Sequence, residues 1–375
     1  MELRNLQNNI VGQEASRLFA RAEINMGVEA FRDSLYSLLK RNTFLNIKFE
    51  NMLDTLGEIS RTDIRSLLGE WEKTTPLPFY SLGEPTLTKI TNKGGEEFFV
   101  LKMLISNNSD YDGIIHMDIR KDGWWYQPLE DPRAKTKIEM PAHTSKEFVS
   151  VWEDQIRNVE INTMVSGNLP NIISQDINNV KQERNKIVKD SIYILPESSF
   201  DLPGEIIVDN EDSTLFILSA PPIVGLLPKW LDEVEETPFK YSGISWWRPP
   251  LQWTATTNDR YYGKYIRSAF VIKSGDGSQT ATWKVPVPEV GQYDLYYHVF
   301  KDDELRWNNN LQGEYHFKVK YGSEVEDAYV NLRKANEGWE QLGSYYFDSD
   351  TVRVVLTDEC KLRSVTADAV KIVKR

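Results

Sequence analysis

The chain has 375 residues, 40% of them hydrophobic and 27% charged, which suits two or three domains that each bury a core. Lys and Arg number 44 against 56 Asp and Glu, a net charge of -12, and no basic block is long enough to follow a phosphate backbone, which argues against nucleic acid as a partner. The single cysteine, Cys360, excludes an intrachain disulfide and leaves the redox compartment open.

Residues 1–80 have helical periodicity. Val28, Phe31, Leu35, Leu38 and Leu39 form one apolar stripe, Phe49, Met52, Leu53 and Leu56 a second, and Ile64, Leu67, Leu68 and Trp71 a third. Gly27 and Gly57 are placed to stop helices, Ser60 with Asp63 has the spacing of a capping box, and Pro76 and Pro78 close the region. The expectation is a short helical bundle.

From about Gly83 the period changes to two. Phe99, Leu101, Met103 and Ile105 alternate with Phe98, Val100, Lys102 and Leu104, as a central or half-buried strand would. Turn chemistry at Asn107–Asp110 and at Lys121-Asp122-Gly123 separates further strand candidates at 113–119, 135–140, 147–152 and 158–164. This many short strands over residues 81–175 predicts an immunoglobulin-like sandwich. Between Ser174 and Asp190 the chain is polar, with little to bury, and residues 176–200 are expected to form a linker or an exposed helix.

Strand patterning returns over 201–375, with candidates at 205–209, 214–219, 269–272, 280–285, 293–300, 315–320, 327–332, 344–347, 352–356 and 369–373. Tyr315, Phe317 and Val319 against His316, Lys318 and Lys320 give a clean inside–outside alternation. A jelly-roll-like β-sandwich accounts for the pattern, so the chain as a whole is mainly β with an N-terminal α segment. The apolar run 215–231 is broken by Pro221, Pro222, Gly225, Pro228 and Lys229 and reads as a buried strand followed by an apolar loop, with no membrane span. Met1 to Gln7 lacks the apolar core of a signal peptide.

Catalytic signatures are missing. Four histidines, His116, His143, His298 and His316, include no pair at the i, i+4 spacing of a helical zinc site. His298 and His316 both fall on strands and could meet across a sheet, although a structural role is the simpler reading. There is no nucleophile elbow, phosphate loop or dinucleotide fingerprint. The acids at 302–304 and 232–236 read as solvated surface. Cys360, beside Asp358 and Glu359, is a poor nucleophile.

The aromatic residues of the last region are more suggestive, because flat rings on a rigid scaffold stack on sugars or anchor protein partners. The segment 245–253 presents Trp246, Trp247, Arg248 and Trp253 interrupted by Pro249 and Pro250; with Trp307, these are the candidate ligand-binding residues. Strand positions such as Trp283, Tyr296 and Trp339 are expected in the core.

The last region resembles the golvesin/xanthan-lyase C-terminal domain, a sandwich of the carbohydrate-binding-module type. The resemblance rests on Ile207–Asp212, Tyr261-Tyr262-Gly263, Ala281-Thr282-Trp283, Gly291–Tyr296, Gly338–Phe347 and Ala367-Asp368-Ala369-Val370. It implies binding and positioning in place of catalysis, with a glycan or a protein as partner. No cofactor is certain; related sandwiches place a calcium ion between first-strand and last-strand carboxylates, which here would be Asp209, Glu211 and Asp368, the alternative being a turn carboxylate and a capped or salt-bridged acid.

Residues 1–175 resemble the helical tail and Ig-like domain that follow the active site of aminopeptidase N-type zinc metallopeptidases, through Met26–Phe31, Thr62–Trp71, Asn107-Asn108-Ser109 and Ser166–Pro170. The two resemblances together imply a non-catalytic C-terminal part of a larger bacterial, Bacteroidetes-like protein, periplasmic or on the cell surface, with its catalytic domain upstream. Part of a peptidase active-site cleft, or a spacer without ligand, are the alternatives.

Overall fold

A computed structural model describes residues 19–20, 22–24, 26–43, 45–46, 48–60, 76–121, 127–177, 179–184, 188–196, 204–219, 240–245, 247–301 and 313–375. The chain divides into two compact units, Met1–Phe200 and Asp201–Arg375. Strands dominate both, as the alternation of the sequence predicts.

In the first unit, helices α1 (Val28–Arg41) and α2 (Phe49–Ser60) pack Phe31, Leu38, Leu53 and Leu56 into a small core. Gly27, at φ 84°, separates α1 from the preceding turn, whose Glu23 carbonyl accepts its N–H. Gly57 does not end a helix but lies inside α2, where burial of Leu53 and Leu56 outweighs a modest propensity cost. Val28 and Leu39, predicted on the buried stripe, are exposed. The third stripe and the Asp63 half of the capping box lie outside the described residues.

Eleven strands follow: β1 (Tyr80–Leu82), β2 (Thr86–Thr91), β3 (Glu97–Asn107), β4 (Gly113–Lys121), β5 (Gln127–Pro128), β6 (Lys135–Met140), β7 (Thr144–Trp152), β8 (Ile156–Asn162), β9 (Ile172–Asp176), β10 (Val180–Arg184) and β11 (Ser191–Pro196). One sheet runs β10-β2-β3-β7-β11 with β1 also on β3; the other runs β5-β4-β8-β9 with β6 also on β4. Leu101, Met103 and Ile105 from β3 meet Ile115, Met117 and Ile119 from β4 in the core between them. Asn168 fastens the entry to this sandwich, accepting from the Tyr80 N–H (2.9 Å) and donating to the Tyr80 carbonyl (2.8 Å).

The stretch 176–200, expected as a linker or exposed helix, instead carries two strands. β10 lies parallel to β2 and β11 antiparallel to β7, each at an edge of the first sheet. An edge strand is held by backbone hydrogen bonds and needs few buried side chains, so its sequence can be as polar as a connector's. Val180 alone of β10 packs against the core.

The second unit contains β12 (Glu205–Val208), β13 (Phe216–Leu218), β14 (Thr254–Thr257), β15 (Ser268–Lys273), β16 (Thr280–Pro286), β17 (Gly291–Val299), β18 (Glu314–Tyr321), β19 (Glu324–Asn331), β20 (Gly338–Phe347), β21 (Thr351–Thr357), β22 (Ser364–Ala367) and β23 (Val370–Lys374). They form sheets β12-β23-β17-β20, β13-β16-β21-β18-β19 and β14-β15-β22. Alternate residues of β16, β17, β18 and β21 meet in one core, where Trp283, Tyr297, Phe317 and Phe347 are fully buried. Of the apolar run 215–231, residues 216–218 form β13 paired with β16, and 220–231 lie outside the described residues.

Trp283 is the largest of these side chains, its indole N–H donating to the Asp368 carbonyl at 3.2 Å. Replacing it by alanine removes both packing and this bond. Urea unfolding of Trp283→Ala is expected to show a loss of about 3–5 kcal/mol, against less than about 1.5 kcal/mol for a volume-conserving exchange in the same core such as Leu356→Met.

Candidate functional site

The last turn of the chain organises the chemistry of the second unit. Between β22 and β23 the chain passes from one sheet to another through Asp368, which is fully buried. Its carboxylate accepts from the Tyr262 N–H (3.1 Å) and is hydrogen-bonded to His298 Nδ1 (2.9 Å). The Tyr262 turn reaches it because Gly263, at φ 153°, sits where a Cβ would strike the Ile266 carbonyl. Burial raises the Asp368 carboxyl above the usual range, opposed by His298, the Tyr262 N–H and the charge of Arg267.

Asp209, at the end of β12, faces the same region. Loss of hydration, reinforced by the charge of Asp368, pushes its carboxyl up to about 8, although it accepts the Asn210 N–H at 2.7 Å. Glu211 adds its charge to the same region. Its carboxylate accepts from the Ser268 hydroxyl and the Tyr241 hydroxyl (3.0 Å) and pairs with Lys240.

Asp209, Glu211 and Asp368, the three acids expected to hold calcium, thus lie near one another at one end of the second unit. Calcium takes six to eight oxygens. Here Glu211 is already neutralised by Lys240, and Asp368 is satisfied by His298 and a backbone N–H. Among the described residues no group of three or more His, Cys, Asp and Glu is arranged to hold a metal ion.

The predicted ligand-binding residues separate. Trp247 is 80% exposed, with the Arg363 guanidinium 4.7 Å from its ring centroid. Arg248 forms an isolated antiparallel bridge with Ser245 and is exposed. Trp253 packs against the core, because it immediately precedes β14 and its ring falls on the inner side. Trp246 and Trp307 lie outside the described residues.

Trp339, expected in the core, is only half-buried. It stands on the outer face of the four-stranded sheet, within 5.1 Å of the rings of Tyr262 and His298, with Lys371 4.9 Å above it. Lys371 also lies over Tyr296 (5.4 Å) and pairs with Glu205 (2.8 Å). Aromatic residues alternating with fully buried Tyr293, Leu295 and Tyr297 were the signal that could have placed Tyr296 on this face. His298 and His316 do not meet. They belong to different sheets, and His316 binds Asp327 (2.7 Å) and stacks on Tyr329. The Cys360 thiol is pushed up chiefly by burial.

Residues 249–374 match the Golvesin C-terminal domain family, about a third of the chain. No curated protein matches the chain. Among solved structures, TmCBM61 in complex with β-1,4-galactotriose aligns with 32% of this chain and 77% of its own, at 15% identity and a TM-score of 0.18. Bacteroides uniformis β-glucuronidase aligns with 84% of this chain, at 12% identity and a TM-score of 0.23, and the match spans 32% of that enzyme. The Sulfolobus Turreted Icosahedral Virus structure aligns with 80% of this chain and 94% of its own, at 10% identity and a TM-score of 0.16.

The raised Asp209 carboxyl gives a pH test. Between its unfolded value near 4 and about 8, the folded protein holds a proton that the unfolded chain has released, so this group's contribution to stability falls as pH rises through that window. Asp209→Asn removes the dependence. The stability of the variant relative to the wild type, from urea melts, is expected to grow with pH from about 4 to about 8 and then level off. A constant difference across that range would show that Asp209 ionises normally.

Proposed function

We propose that the second unit is a non-catalytic carbohydrate-binding module whose contact edge is the segment carrying Trp247. The observation that carries this reading is the exposure of the Trp247 ring, held beside Arg363 where no core claims it. A large ring costs free energy when left in water, and an indole with an adjacent guanidinium offers one stacking surface and several hydrogen-bond donors, the chemistry that sugar rings and their hydroxyls use. Leu251, also exposed, extends the apolar surface. The match of 249–374 to the Golvesin C-terminal domain family supports a binding role.

We further read the chain as belonging to a larger, exported bacterial protein related to aminopeptidases. The residues that support this are the phrases Met26–Phe31 and Thr62–Trp71, the second of which lies outside the described residues. The gene's upstream sequence tests it: an open frame running into a His-Glu-x-x-His motif supports it, and a frame without one overturns it. No step of peptidase chemistry is assigned to this chain.

The module reading is tested on a glycan array with the full chain. Binding by the wild type is expected, with a loss of about tenfold or more in affinity for Trp247→Ala and an unchanged melting temperature, since an exposed ring contributes to contact and little to folding. Undiminished binding by Trp247→Ala would move the site elsewhere, and a protein that bound no glycan would remove the reading.

A further inference from the structure

The outer face of the five-stranded sheet carries a charge pattern at odds with the rest of the molecule. Lys284 on β16 is directly opposite Arg353 on β21, and Arg353 is directly opposite Lys320 on β18. Lys318 follows two residues along β18 on the same face. The residues that alternate with them, Trp283, Val285, Val352, Val354, Phe317 and Val319, are fully buried, so the four cations point outward. Adjacent strands lie about 4.8 Å apart, which sets three positive groups in a line about 10 Å long.

Like charges directly opposite across strands are destabilising. Across β18 and β19 only Lys318 of the four has an acid, Asp327, directly opposite it. Among the described residues none of the four forms an ion pair, in a chain whose acids outnumber its bases. The acids closest in register are committed elsewhere: Asp327, opposite Lys318, binds His316 Nε2 at 2.7 Å, and Glu326 accepts from the Tyr321 hydroxyl. On the same face Tyr329 is 55% exposed and stacked at 4.8 Å on His316, a ring platform supported from below.

From this arrangement we propose that the outer face of β16, β21 and β18 binds an acidic polysaccharide, its carboxylates meeting Lys284, Arg353, Lys320 and Lys318 and a sugar ring resting on Tyr329. The proposal deepens the carbohydrate-binding reading and rests on it, while placing a second contact away from Trp247. Cations spaced by the width of a strand suit a chain that carries about one carboxylate per sugar. A nucleic acid or an anionic bilayer offers denser charge, and the acids elsewhere on this chain would be repelled over a broad surface.

Affinity electrophoresis and calorimetry of the full chain test it, with polygalacturonate and its fully methyl-esterified form as probes. The acidic polymer is expected to bind at least about tenfold more tightly than the ester at low salt, as a site built on several charge contacts should. The triple variant Lys284→Gln, Lys320→Gln, Arg353→Gln is expected to abolish that preference and to flatten the dependence of log K on log salt by about two. Lys320→Glu, at an exposed position, reads the same change independently of the triple variant's folding, and Lys320→Arg is expected to retain binding. Equal binding of the two polymers, or an unaltered triple variant, overturns the proposal and leaves the Trp247 reading standing. Binding of single-stranded DNA or phosphatidylserine vesicles as tight as that of polygalacturonate also overturns it. A protein that ignored both polymers and every glycan on the array would overturn both readings.

Discussion

The second unit depends on a carboxylate enclosed away from solvent. Asp368 sits at the step between β22 and β23, where the chain leaves one sheet and enters another, and its oxygens are fully enclosed. Enclosing a carboxylate is costly unless hydrogen bonds replace hydration. Each replacement here comes from a different part of the unit: His298 from β17 and the N–H of Tyr262 from the loop before β15. The Asp368 backbone is engaged as well, its carbonyl accepting from Trp283 on β16, while the next carbonyl, that of Ala369, accepts the His298 N–H. One acidic residue thus fixes how four segments meet. Asp209 is disfavoured as an anion chiefly by its own burial, and the fixed charge of Asp368 adds to this.

The same constraint shapes the outer face of the four-stranded sheet. His298 must reach inward to Asp368, and the rings of Tyr262 and Trp339 close over it. Lys371 is laid across Trp339 and Tyr296 and neutralised by Glu205. A cation held over aromatic rings and paired with an acid has its needs met within the fold. The rings of Tyr262, Tyr296 and Trp339 are therefore mostly structural, while Trp247, in the loop before β14, is left with most of its surface exposed.

Much of the architecture was legible because period-two alternation is a direct imprint of a sheet with one buried face. Tyr315, Phe317 and Val319 went inward as their spacing requires, and the strand candidates between 269 and 373 each fall on an observed strand. The polar residues of β10 misled because an edge strand is specified by backbone pairing, which leaves little trace in side-chain composition, whereas β11 carries Ile192, Tyr193, Ile194 and Leu195, a strand-like run that the linker reading passed over. Trp253 and Trp339 exchanged their expected environments for a related reason. Burial of a single ring near a strand end depends on which side of the pleat it falls and on what crosses above it, and Trp339 is matched to His298 across strands, which no local pattern encodes. The convergence of Asp209 and Asp368 could be anticipated from the strand order of similar sandwiches, but the diversion of Glu211 to Lys240 could not, because Lys240 follows a long interval of chain and meets Glu211 only in three dimensions.

Two faces of one sandwich therefore answer the same electrostatic problem in opposite ways. On the four-stranded sheet the cation is paired, covered by rings and removed from water; on the five-stranded sheet cations stand in register with one another and face solvent. Folding alone favours the first arrangement, since a strand pair gains from opposite charges and loses by like ones. A single exchange at Arg353 to Glu would place an acid between Lys284 and Lys320 and make two favourable cross-strand pairs without disturbing the core beneath. The same exchange would remove the central cation of the row that the proposed acidic ligand meets, so stability and binding would respond to it in opposite directions.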